Sequence, residues 1–177
     1  MTARIVAIIG LAGLTAGCFQ PMYGDHKFSG GPSIVGKMSA VDVLPIDAPN
    51  GTRLSRVGGV VRDALIFDLT GGGAPAPTAY RLNVKLTANQ TQVIIDIATA
   101  RPDIQNYGID ATYSLIETAT GKTVVTGQTF SRVSYNIPGQ QQRFVGERGL
   151  RDAEDRAAKV IAESIRNRLA SYFVAGT

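Results

Sequence analysis

Few residues in this chain are equipped for bond-making chemistry. Among 177 residues there is one cysteine, Cys18, and one histidine, His26. His26 stands among Pro21, Gly24, Gly30, Gly31 and Pro32 and reads as a solvated loop residue. That placement argues against a Ser/His/Asp arrangement on a rigid scaffold and against a histidine-based metal site. Gly71 to Gly73 lack the Lys and Ser or Thr that a phosphate-binding loop needs at fixed spacing, so they read as a linker. Asp152, Glu154 and Asp155 are close enough in sequence to suggest a metal cluster, but acids near a helix start are favoured by the macrodipole alone. The expectation is a protein that is not an enzyme and uses no cofactor or metal.

The chemistry that remains is attachment. Met1 to Arg4 is basic, Ile5 to Leu14 is apolar, and Thr15, Ala16 and Gly17 are small residues leading into Cys18. This is the layout of a secretory signal with a cysteine at the position that becomes the new N-terminus. The pattern predicts a lipoprotein signal over 1–17, a diacylglyceryl group on the Cys18 thiol and a further acyl chain, such as palmitate, on its freed amine. Thr15 departs from the Leu usual three residues before the cysteine. The apolar run is about half the ~20 residues that a spanning helix requires. Each buried acyl methylene contributes about 0.8 kcal/mol, so two or more chains anchor durably. With Cys18 acylated, no intramolecular disulfide is available.

The charges are the second candidate feature. Lys and Arg total 18 against 14 Asp and Glu, a formal net charge of +4, which favours anionic partners without choosing among them. Arg148, Arg151, Arg156, Lys159, Arg166 and Arg168 are interleaved with acids and read as a solvated helix face, so nucleic acid is not expected as a partner. Arg81, Lys85, Arg101, Lys122, Arg132 and Arg143 lie on or beside strand patterns. A sheet face bearing such cations can hold phosphates or carboxylates, Arg by a two-pronged contact and Lys as a point charge. Ordinary surface charge is the competing reading.

The elements that must position these groups follow from periodicity. Residues 18–39 read as a lipidated N-terminus and flexible tether, and 40–177 as one domain. Ala40 to Ile46 is a short apolar strand. Thr52 is placed to cap a helix whose apolar face is Leu54, Val57, Val61, Ala64 and Leu65, ending near Leu69. Gly58 and Gly59 suggest close backbone packing. After the TGGGAPAPTA connection, Leu82, Val84 and Leu86 alternate with polar residues, and Val93, Ile95 and Ile97 continue the alternation after a bulge expected near Asn89. Arg101 to Asp103 reads as a turn. Tyr107, Ile109, Ala111, Tyr113 and Leu115 share one side of the next strand, and a tight turn with Gly121 leads into a strand over Thr123 to Tyr135. Ile137 to Gly146 reads as loop. The last helix is expected from about Gly149 to Phe173, with Ala153, Ala157, Val160, Ile161, Ser164, Ile165 and Tyr172 on its apolar face and Ala158 and Leu169 at the margin. Asp152 with Arg156 and Asp155 with Lys159 are spaced as ion pairs. The β-α-β-β-β-α order predicts an α+β two-layer sandwich, with two helices on one face of a roughly four-stranded, mainly antiparallel sheet. The other sheet face is left free.

Gly17, Cys18, Phe19, Pro21, Tyr23 and Gly24, followed by this element order, resemble the GCGFxPLYG opening and layout of the LptE lipopolysaccharide-assembly lipoprotein family, in its alphaproteobacterial form. Phe19 follows the cysteine directly, where many members have Gly then Phe, and Met22 replaces a common Leu. The resemblance implies a lipid-anchored, periplasm-facing outer-membrane protein whose partner is LptD, the large β-barrel that inserts lipopolysaccharide into the outer leaflet. Members plug that barrel, assist its assembly and bind lipopolysaccharide, whose anionic phosphates would fall to the strand-borne cations. An auxiliary lipoprotein of a lipid ABC transporter is the alternative, and a cell-wall hydrolase is disfavoured by the missing catalytic set.

Overall fold

Alternation with period two along three polar-rich segments builds three long strands, and two stretches with period 3.6 build the helices that cover them. A computed structural model describes residues 33–96, 101–137 and 143–176, excepting the side chains at 94–96, 101–103 and 143. The elements in chain order are α1 (Ile34–Ser39), β1 (Val41–Val43), α2 (Arg53–Thr70), β2 (Tyr80–Asp96), β3 (Arg101–Glu117), β4 (Thr123–Asn136) and α3 (Arg143–Ala175). The architecture is α+β, an open four-stranded sheet in the order β1-β2-β3-β4. β1 pairs parallel to β2, with Val41 opposite Tyr80, and the other pairings are antiparallel. A parallel pair needs a crossover, and α2 supplies it.

α2 forms where expected, for local reasons. The Thr52 hydroxyl accepts from the Ser55 N–H at 3.2 Å, an N-cap contact that contributes about 1 kcal/mol. Gly71, at φ 63°, closes the helix and donates its N–H to the Phe67 carbonyl. Val57, Val61, Leu65 and Leu69 are buried at successive turns. Of the two glycines expected to pack closely, only Gly58 does: a Cβ there would stand 3.3 Å from Ile46, whereas Gly59 faces open space.

The inward strand residues are those expected except Val93, which is 50% exposed, while the side chains of Ile95 and Ile97 lie outside the described residues. Leu82, Val84 and Leu86 on β2 and Tyr107, Ile109, Ala111, Tyr113 and Leu115 on β3 are buried beneath the two long helices. Burying each large aliphatic side chain contributes about 1.5–3 kcal/mol before entropy is counted. Gly127 faces inward on β4, where Tyr113 lies against its Cα; a Cβ there would sit 2.5 Å from the Tyr113 hydroxyl.

Several expectations need correction. The end of the expected tether is helical: Ser33 caps α1, its hydroxyl accepting from Gly36 N–H at 3.1 Å, and Met38 is buried. The register runs unbroken past Asn89, and its irregularities fall between Gln92 and Ile95. Arg101 and Pro102 belong to β3 and pair with Asp96 and Ile95, so the expected turn there is strand. α3 begins at Arg143, six residues before the expected start, taking in residues read as loop. Its buried face is rotated from the expected one. Ala158, Ala162, Leu169 and Ala170 are fully buried, and Val160 is 44% exposed. The small residues of that face let α3 approach both α2 and the sheet. Cys18, His26 and Gln140 to Gln142 lie outside the described residues.

Candidate functional site

Because both long helices pack on one side, the side chains that alternate outward on β2, β3 and β4 form an uncovered polar face. Arg81, Asn83 and Lys85 point outward on β2, set by the inward Leu82, Val84 and Leu86. Cross-strand register places Lys85 beside Thr112 and Thr112 beside Gln128, and Asn83 beside Ser114. Asn83, Lys85, Thr112, Tyr113 and Ser114 line a shallow depression of about 270 Å³. Arg81 and Lys85 are exposed and enter no ion pair among the described residues. They are four strand residues apart, roughly 13 Å at the usual rise, so each meets a different anionic group.

The remaining strand-borne cations do not join them as one patch. Arg132 is outward on β4 but already committed. Its Nη1 donates to the carbonyls of Ile109 and Ser131 at 3.0 Å, its Nη2 donates to Asp110 Oδ1 at 2.7 Å, and its guanidinium lies 5.5 Å from the Phe130 ring centroid. Gly108, opposite Arg132, leaves the room its side chain crosses; a Cβ there would lie 2.9 Å from Arg132 Cδ. Lys122 is exposed in the β3–β4 turn, where its N–H donates to the Thr120 hydroxyl at 3.3 Å. Arg101 opens β3 and Arg143 opens α3, but their side chains lie outside the described residues.

A second charged site escaped the sequence reading. Where the first turn of α2 meets the first turns of α3, Arg53, Arg56, Phe144, Glu147, Arg148, Leu150, Arg151 and Glu154 line a cleft of about 240 Å³. Glu154 is 3% exposed and pairs with Arg56 Nη2, while Arg56 Nη1 reaches Asp155 Oδ1 at 3.0 Å. Burial opposes the charge on Arg56, but the hydrogen bond to Asp155 and the fields of Glu154 and Asp155 outweigh it, so its pKa is raised. Glu154 Oε1 is buried with no hydrogen-bond partner. The Tyr107 hydroxyl is pushed up to about 12, first by burial and then by Glu154, with Arg56 and Arg53 acting the other way. Asp155 therefore serves Arg56 rather than the expected Lys159, whereas Asp152 and Arg156 pair as expected at 2.7 Å. The Asp152, Glu154 and Asp155 set is taken up by arginines. Among the described residues no three His, Cys, Asp or Glu side chains group as a metal site. The signal for the cleft was present in Phe144, Arg148, Arg151 and Glu154, spaced by four, three and three residues, but only a helix starting at Arg143 reveals it.

No helix among the described residues is long and apolar enough to cross a membrane. The fold has solved counterparts. A crystal structure described as a lipoprotein of Caulobacter crescentus CB15 matches with a TM-score of 0.62 and 19% identity, over 80% of this chain and 96% of that one. A minor lipoprotein of Acinetobacter baumannii matches at 0.52 and 13%, over 74% and 88%. At such identities the likeness shows the fold alone. No curated protein sequence matches the chain. The sequence model of the LptE family, described by lipopolysaccharide assembly, covers residues 38–169, from the end of α1 to the last turns of α3. The chain belongs to the LptE lipopolysaccharide-assembly family.

Proposed function

We propose that this chain acts without catalysis, as a lipid-anchored component on the periplasmic side of the outer membrane that occupies the lumen of an LptD-like β-barrel. There it assists assembly of the barrel and contacts lipopolysaccharide as the glycolipid passes. The observation that carries this reading is the uncovered, mainly polar sheet face, with Arg81 and Lys85 exposed on it, while the inner face of the sheet closes the core against both long helices. A wet, enclosed lumen suits such a surface. Separate anionic groups spread over a glycolipid suit two cations about 13 Å apart. Lys122, in the turn at one end of the same sheet, can add a third contact, and Arg101 and Arg143 remain proposed contacts on sequence grounds. Arg132 holds the sheet instead of a ligand. Cys18 carries the acyl chains that keep the protein at the membrane.

Extraction of the native protein in mild detergent tests the reading: a large β-barrel is expected to accompany it. A free monomer overturns the proposal, and an inner-membrane complex points to an auxiliary role with a lipid transporter. Arg81→Glu with Lys85→Glu is expected to weaken lipopolysaccharide retention about tenfold or more without loss of the barrel. Cys18→Ala is expected to leave the fold intact and release protein that is not held by the barrel; persistent membrane association without a partner counts against the anchor.

A further inference from the structure

We propose that the cleft between the starts of α2 and α3 is a docking site for an acidic segment of a partner protein, with Phe144 as its apolar anchor. This surface lies apart from the polar sheet face, and the inference stands whether or not that face meets a glycolipid.

The cleft is built by helix geometry. Glu147, Arg148, Arg151 and Glu154 lie three, four, seven and ten residues after Phe144, so the first turns of α3 present them as one stripe to Arg53 and Arg56. Two of its four arginines are occupied. Arg56 holds Glu154 and Asp155, and Arg53 makes an exposed contact with Glu147 at 3.3 Å. Arg148 and Arg151 are exposed and have no ion pair among the described residues. Phe144 beside them is 86% exposed, and Val145 adjoins it.

The kind of occupant follows from the lining. All the cations are arginine, whose planar fork fits a carboxylate bidentately. Arginine and aromatic residues are enriched in protein interfaces, and lysine is depleted. The wall also holds Glu147, whose side chain is exposed. A broad anionic lipid surface would press its charge against that carboxylate. A peptide can place carboxylates at Arg148 and Arg151 while turning a backbone N–H group toward Glu147.

The test uses the full-length protein in non-ionic detergent and two probes: a labelled twelve-residue peptide of glutamates interrupted by two leucines, and phosphatidylglycerol carried in mixed micelles of the same detergent. Arg148→Glu with Arg151→Glu is expected to weaken peptide binding at least tenfold, and Phe144→Ala severalfold, at unchanged melting temperature. Arg81→Glu with Lys85→Glu removes equal charge elsewhere and is expected to leave peptide binding unchanged. Should charge reversal unsettle the helix, Arg148→Gln with Arg151→Gln replaces it, with the same loss expected. Equal losses from both double variants would reduce the effect to net charge and overturn the proposal. So would wild-type protein that ignores the peptide, or a cleft variant that keeps the peptide and loses only the micellar phosphatidylglycerol.

Discussion

Adjacent residues on α3 make opposite predictions, and the contrast tests how that helix sits. Ile161 is fully buried between α2 and the sheet, while Val160, one position earlier, is 44% exposed. Ile161→Ala removes a side chain whose loss costs about 2–5 kcal/mol when the cavity cannot collapse. Ala157, Ala158 and Ala162, its buried neighbours along α3, are too short to fill the space, which places the expectation at about 3–4 kcal/mol. Ile161→Asp adds an unpaired charge to that loss and consumes most of the 5–15 kcal/mol by which ordinary domains are stable. Val160→Asp places its carboxylate near water and should change stability by about 0.5 kcal/mol or less. With urea dependence of about 2 kcal/mol per molar, the midpoint should fall by about 1.5–2 M for Ile161→Ala and barely move for Val160→Asp. Similar shifts for Val160→Asp and Ile161→Asp would restore the helix phase expected from periodicity alone and refute the packing described here.

Three further substitutions probe other parts of the molecule. Arg56→Ala strands the buried Glu154 carboxylate without its partner and should cost about 3 kcal/mol or more, part of which Glu154→Leu in the same chain should return; urea titration showing under about 0.5 kcal/mol would sink the idea of a buried ionic link. The Tyr107 hydroxyl keeps its proton to about pH 12 when folded and to about 10 when unfolded, so its contribution is full below pH 10 and is lost as pH rises from 10 through 12. That share is at most about 3 kcal/mol; Tyr107→Phe should flatten this part of the alkaline stability profile, leaving the smaller shares of the other raised tyrosines, Tyr80, Tyr113 and Tyr135. Gly127→Ala forces a methyl against the Tyr113 hydroxyl 2.5 Å away and should cost about 1–3 kcal/mol; an unchanged melting temperature would mean the ring does not rest on that backbone.

What could be read in advance divides by the range of the forces involved. The inward residues of β2 and β3 and the limits of α2 rest on local alternation, a Thr52 cap and a glycine stop, all legible in a short window. α1 is too short for periodicity and carries Gly36. The start of α3 is masked by Gly146 and Gly149, which lower helix propensity locally until tertiary contacts override them. Val160 and Ile161 lie about 100° apart on the helix, and only the positions of α2 and β4 decide which of them points inward. The same distinction governs the charged residues. Strand alternation alone puts Arg81, Lys85 and Arg132 on the outward face, but the capture of Arg132 depends on the cross-strand placement of Gly108, Asp110 and Ile109. The arginine cleft requires two helix ends, about ninety residues apart in sequence, to meet.

The arrangement of unsatisfied charge also bears on how the protein is held. A single docking face would gather the free cations together. Here Arg81 and Lys85 lie on the outer face of the sheet, whereas Arg148 and Arg151 belong to the helical layer at the start of α3. Between them the core is closed, with Leu82, Ile109, Leu115, Ile161 and Ile165 fully buried, so charge reversals at either pair should not reach the other through the packing. If the protein is enclosed as proposed, it meets partners across both layers, and reversing both pairs together should weaken its association by close to the product of the separate losses. A double loss no greater than either single one would mean that the two islands serve one contact, and that the protein is approached from one side only.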